Sequence, residues 1–180
     1  MFGETGELIG QILSIIAVVT GFVALQMKSP RGILFFLLVT SLLFTFHYLL
    51  IGATDAVLVN LVATIMCVVY SIRDRRGSRG MTVPIIFAVL IVLSSLLSWE
   101  GWQSVFLMAG LAINAISISL PNPQTTRKLN FIKSPLCLTY NVLVFSVGGI
   151  IFEASILASS VIGLIRHRNK SDSSGKKTTE

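Results

Sequence analysis

The chain has 180 residues, of which 53% are hydrophobic and only 12% charged, with a mean hydropathy of +0.83. A water-soluble domain carries about 25% charged residues, so this composition excludes a soluble enzyme or soluble binding module and leaves a membrane protein. The net charge of +6 sits in short segments between apolar runs. That pattern argues against a nucleic-acid partner and for a topology signal.

Taken in chain order, seven apolar segments run over residues 8–26, 33–51, 55–72, 82–98, 102–119, 134–148 and 150–165. Most fall slightly short of the ~20 residues that span a typical bilayer core. Their length and lack of strict alternation predict helices rather than barrel strands. Segments two and three form a hairpin broken at Gly52-Ala53-Thr54-Asp55, and the pair Gly148-Gly149 predicts a similar break between segments six and seven. Glu4 and Glu7 stand where a signal peptide would carry lysine or arginine, so no cleavable signal is expected. Cys67 and Cys137 lie inside apolar runs, where they act as small buried hydrophobes rather than as a disulfide. Residues 169–180, NKSDSSGKKTTE, form a polar segment expected to be a disordered tail.

Charge decides orientation. With seven crossings, all 14 basic residues fall on one face, from Lys28 and Arg31 through the 73–79 cluster, Arg127, Lys128 and Lys133 to the 166–177 cluster. Glu4, Glu7, Asp55, Glu100 and Glu153 fall on the other. The positive-inside rule then predicts a periplasmic N-terminus and a cytoplasmic C-terminus. Trp99 and Trp102 bracket a loop on the acidic face, as interfacial aromatics do.

The chain also repeats itself. Ile72-Arg73-Asp74-Arg75 matches Ile165-Arg166-His167-Arg168, Thr45-Phe46-His47 matches Thr139-Tyr140-Asn141, and Gln11 matches Gln103. Segment four is aliphatic and has no counterpart. The expected architecture is an all-α membrane protein of seven transmembrane helices in a 3+1+3 parallel repeat. Its units are residues 1–72, a basic loop and linker helix over 73–101, and residues 102–168.

That plan resembles the SWEET and PQ-loop transporters through Leu25-Gln26, Lys28-Ser29, Phe46-His47-Tyr48, Gly52 and Asn60. More closely, Gln26-x-Lys28-Ser29, His47 followed by Gly52, Asn60, the Arg73 stop and the Glu153…Arg166 echo resemble the bacterial inner membrane protein YgjV family. This resemblance implies a multi-pass inner membrane protein and brings no activity with it. Segment one lacks a Pro-Gln pair, the first-repeat helices lack mid-helix prolines, and Asn60 has Glu153 or Ala154 as its counterpart. These departures weigh against sugar transport.

Polar residues inside the spans are the candidates for a solute pathway: His47, Asn60, Asn114, Asn141 and Glu153. At ~1.5 Å per residue, His47, Asn60 and Asn141 share a layer ~6–10 Å below the acidic face, and Asn114 lies near ~18 Å. Such groups usually face a bundle interior or cavity, although many only bond across helices at about 0.6 kcal/mol each. Glu153 reads as a solvated interfacial carboxylate. No nucleophile with a base, metal-ligand cluster or phosphate loop is present, so neither catalysis nor a cofactor is expected. The expected partners are lipid, a small solute and further copies of the chain. Two function classes remain: passage of a small solute between two triple-helix bundles, or a non-transporting assembly or partner-binding protein.

The charge segregation makes a prediction. In a cysteine-free background, Gly3→Cys and Glu100→Cys should label with an impermeant thiol reagent on intact cells, and Ser78→Cys and Ser174→Cys should not. Labelling at position 174 would remove the seven-span topology.

Overall fold

The computed structural model of the chain describes residues 3–27, 29–78, 80–120 and 122–176, without the side chains of residues 3, 25, 30, 123 and 166–176. Regular structure among them is entirely α-helical. The helices are α1 (Gly3–Gln26), α2 (Pro30–Ile51), α3 (Thr54–Arg75), α4 (Thr82–Leu97), α5 (Gln103–Ser117), α6 (Pro123–Leu143) and α7 (Val147–Lys176). Four stretches are long and apolar enough to cross a membrane: Glu4–Ala24, Arg31–Ile51, Thr54–Arg75 and Val147–Ile165.

Burial is inverted relative to a soluble protein. Ile12, Val19, Phe35, Phe46, Ile86 and Ile162 are exposed, whereas Ser14, Thr40, His47, Asp55, Ser104, Lys133, Asn141 and Glu153 are buried. Hydrocarbon offers no hydrogen bonds, so polar groups turn inward to find partners and apolar groups face out.

Local signals start and stop these helices. Ser29 caps α2 by accepting from Gly32 N at 3.1 Å, with Pro30 next to it. Asn122 caps α6 by accepting from Gln124 N at 2.9 Å, with Pro123 following. A capping oxygen before a proline, which lacks the N–H that would go unbonded there, is an efficient helix start. The hairpin turns also match. Gly52 at φ 81° ends α2, and Phe145 at φ 54° follows α6. In one turn Ala53 N donates to Tyr48 O at 3.0 Å; in the other Ser146 N donates to Asn141 O at 2.9 Å. Glycine takes the left-handed conformation without strain, whereas a phenylalanine there is uncommon.

This second turn corrects the sequence reading. The chain breaks at 144–146, and Gly148 and Gly149 lie within α7. Their role is close approach. A Cβ on Gly148 would meet Ser14 of α1, including its backbone carbon at 2.7 Å, and one on Gly149 would meet the Asn141 side chain. Helix α6 also begins well before residue 134, with Pro135 in its interior. Helix α7 continues to Lys176, so most of the expected tail is helical, and residues 177–180 lie outside the described residues. Of the basic residues assigned to one face, Lys28 and Arg79 also lie outside them, and the 166–176 side chains are not described.

Each helix packs on its neighbour in sequence, α7 also meets α1, and α3 also meets α5. Helix α4 lies over the α3–α5 seam through Pro84, Phe87, Ile91, Ser94 and Ser95. The remaining helices form a closed circuit around an interior where apolar side chains such as Phe44, Val59, Met66 and Leu107 lie beside buried polar ones. Cys67 and Cys137 are free and buried, as expected.

Gly148→Ala should force α1 and α7 apart, since backbone cannot swing away as a side-chain tip does. Overpacking of this kind costs about 1–3 kcal/mol. Gly80→Ala, with nothing within 4 Å, serves as the silent control. A melting series in detergent checks this, and equal melting temperatures for the two variants would refute the tight contact.

Candidate functional site

Inside the circuit lies a cavity of about 100 Å³. Its lining includes Asn60 of α3, Asn114 of α5, Asn141 and Lys133 of α6, and Glu153 of α7. Apolar and aromatic groups, among them Phe44, Tyr48, Met66 and Phe152, make up much of the remainder. Four of the five pathway candidates therefore line one space, supplied by four helices. His47 does not line it.

Each asparagine is held differently. Asn60 Nδ2 donates to Ala56 O at 3.0 Å, one turn back in its own helix. Asn141 Nδ2 donates to Cys137 O at 2.8 Å, and its Oδ1 accepts from the Tyr48 hydroxyl at 2.6 Å. That second bond crosses the interior from α2 to α6. The Asn114 side chain shows no hydrogen bond among the described residues, so its amide is available to the cavity.

Glu153 departs most from its expected setting. It is not solvated at an interface: it is 5% exposed, and its Oε1 lies 3.4 Å from Lys133 Nζ, with Lys133 also 5% exposed. Lys133 accordingly leaves the set of basic residues on one face. A buried lysine is tolerable only with a counter-charge, and here α7 provides it. Glu153 Oε2 is buried and has no hydrogen-bond partner among the described residues. On α7 the buried positions among those described are Gly148, Gly149, Glu153, Ile156 and Ser160. Of the small-residue stripe Ser155, Ser159 and Gly163, which suggests close helix contact from sequence, Gly163 packs against Arg127 of α6, whereas Ser155 is half-buried and Ser159 exposed.

Two polar clasps lie at the end of the bundle holding the α2–α3, α4–α5 and α6–α7 turns. In the first, His47 Nδ1 lies 2.8 Å from Gly10 O and Nε2 lies 2.7 Å from Ser146 Oγ, tying α2 to α1 and to the α6–α7 turn. A carbonyl can only accept, so Nδ1 carries the hydrogen and the neutral ring accepts from Ser146 at Nε2. In the second, Asp55 Oδ1 accepts from the Tyr140 hydroxyl at 2.5 Å and Oδ2 from Ser104 Oγ at 2.6 Å. Asp55 Oδ1 also accepts from Ala56 N at 2.7 Å. Three donors offset much of the desolvation of a fully buried carboxylate. Asp55 reads from sequence as a loop residue on the acidic face, but at 0% exposure it is an internal anchor. Hydropathy carries no signal for such a role.

Towards the basic end a wider recess of about 600 Å³ is lined by Leu34, Tyr70, Arg73, Asp74, Met81 and Ile118, among others. Ile118 borders both the recess and the central cavity. Tyr70 donates to Ala115 O at 2.8 Å, bridging α3 and α5 beside that boundary.

The ion pair sets up a double-mutant test. Lys133→Met alone strands the Glu153 carboxylate and should cost about 3–5 kcal/mol, whereas Lys133→Met with Glu153→Leu should recover most of that loss. Additive destabilisation in a detergent melting series would show that the two charges do not depend on each other.

No curated protein and no solved structure matches this chain. A family profile described as bacterial inner membrane protein matches residues 8–171, nearly its whole length. With its apolar spans and outward-facing hydrophobic surface, the chain belongs to the Imp-YgjV family of bacterial inner membrane proteins.

Proposed function

We propose that this protein passes a small polar solute across the inner membrane through the cavity between two three-helix units, α1–α3 and α5–α7. The observation carrying this reading is the single cavity to which Asn60, Asn114, Asn141, Lys133 and Glu153 all contribute. Glu153 Oε2 is buried without a hydrogen-bond partner among the described residues, and the half-buried Asn114 amide makes no hydrogen bond there, so both are available to a solute. The activity is transport without covalent chemistry, and all seven helices cross the bilayer with the N-terminus periplasmic.

The parallel 3+1+3 repeat is part of the proposal. The Ser29-Pro30 and Asn122-Pro123 starts, the two hairpin turns, and the residues Tyr48 and Asn141 all recur at the 93-residue separation of that last pair. Seams α3–α5 and α1–α7 are equivalent under such a repeat, and α4 is the linker that returns the chain to the same orientation. The two clasps close the periplasmic end, while the recess at Tyr70 and Ile118 opens towards the cytoplasm.

Purified protein should gain thermal stability from at least one small polar metabolite in a panel. Asn114→Ala should lose that gain while melting within a degree or two of wild type alone, because its amide strands no partner. His47→Ala should instead lower the melting temperature, since it leaves Ser146 and the Gly10 carbonyl unsatisfied at about 1–3 kcal/mol. A panel with no stabilising metabolite would overturn the solute reading and favour a non-transporting assembly protein.

A further inference from the structure

The character of the solute can be narrowed, resting on the reading that the cavity binds one. We infer that the Lys133–Glu153 pair is the recognition centre for a small zwitterion, a solute with one ammonium and one carboxylate.

The pair is held loosely. Its 3.4 Å separation exceeds the roughly 2.7–2.9 Å of a well-made charge-assisted bond. Glu153 presents a second oxygen with no partner among the described residues. Lysine has three N–H donors, and the contact with Glu153 Oε1 occupies one. The cavity thus holds an unused anionic acceptor and unused cationic donors side by side.

Charge balance decides the class. The pair is net neutral and lies in a low-dielectric interior. A solute with net charge would leave one charge uncompensated there, which is strongly unfavourable. A zwitterion keeps the total at zero: its carboxylate takes the free N–H groups of Lys133, and its ammonium takes Glu153 Oε2. Two opposed charges on one small molecule match two opposed charges on α6 and α7, and Asn114 and Asn141 offer amides around them. Size sets the remaining limit. A cavity of roughly 150 Å³ admits benzene, so about 100 Å³ suits a solute of glycine or alanine size.

The asymmetry of the two units points the same way. At the repeat spacing, Lys133 and Glu153 correspond to Thr40 and Asn60, which are uncharged. Packing alone has a neutral solution at the equivalent positions of the first unit, so the charged pair in the second serves a purpose beyond holding helices together.

The test uses the full-length protein in detergent, with ligand-dependent melting shifts for glycine, alanine, acetate, methylamine and glycerol at equal concentration and ionic strength. Glycine or alanine should raise the melting temperature in a saturable way, and the other three should not. Glu153→Gln should weaken that response at least tenfold. Should Glu153→Gln fail to fold, Lys133→Met with Glu153→Leu provides a charge-free pair in which the zwitterion response should vanish. Stabilisation by glycerol alone, or an undiminished glycine response in the charge-free variant, would overturn the inference and leave the solute cavity standing. No stabilisation by any of these compounds or by the wider metabolite panel would remove both.

Discussion

Hydrocarbon around a helix bundle supplies no hydrogen bonds, and this constraint governs where every polar side chain of the chain can go. A buried group must find its partner on another helix, around a cavity or one turn away on its own helix. Asp55 and His47 take the first course, each satisfied by groups from other segments. Asn114 and Glu153 take the second, lining a cavity with bonding capacity left over. Helix packing follows from the same constraint, because the clasps fix which ends of which helices must meet.

One contact ties the first half of the chain to the second at the centre of the clasp layer. Tyr48 and Asn141 are 93 residues apart and hydrogen-bond to each other across the interior. Each also supplies the carbonyl that receives the closing bond of its own hairpin turn, from Ala53 and Ser146. Their neighbours His47 and Tyr140 then fall on opposite sides, each reaching a different seam. The two clasps use different chemistry, imidazole with hydroxyl and carbonyl in one, phenol with carboxylate in the other. Only their placement is shared.

Much of this fold was legible because the signals are local. Apolar runs, Ser29-Pro30 and the Gly52 break place helices α1 to α5 close to their observed bounds. Helix α6 was harder. Its first half, from Pro123 to Lys133, is polar enough to read as a loop, and the counter-charge of Lys133 is Glu153 on the next helix, which no hydropathy window joins to it. Lys133 was assigned to the basic face for that reason, and Glu153 to the acidic one. The Gly148-Gly149 pair drew the turn to itself, but those glycines serve contacts with Ser14 and Asn141 while Phe145 takes the left-handed position. The cavity itself was partly legible: a shared depth for Asn60 and Asn141 followed from helix rise, whereas the side on which His47 points depends on packing against α1.

The strength of the closed end bears on whether it can open. Four bonds of the clasp layer join the first half to the second: His47–Ser146, Tyr48–Asn141, Tyr140–Asp55 and Ser104–Asp55. Interhelical hydrogen bonds in membrane proteins average about 0.6 kcal/mol and reach about 1.7. The layer as a whole is thus held by a few kcal/mol, with the two Asp55 bonds at the upper end of that range. Moving a two-state equilibrium from 1:99 to 99:1 takes a ligand that favours one state over the other by about 5.5 kcal/mol. A solute that engaged Asn141 could compete directly for the Tyr48 bond, and that bond stands between the two clasps. Under the solute-passage proposal, opening this end requires a ligand that binds the open state more tightly than the closed one by at least the combined strength of these bonds.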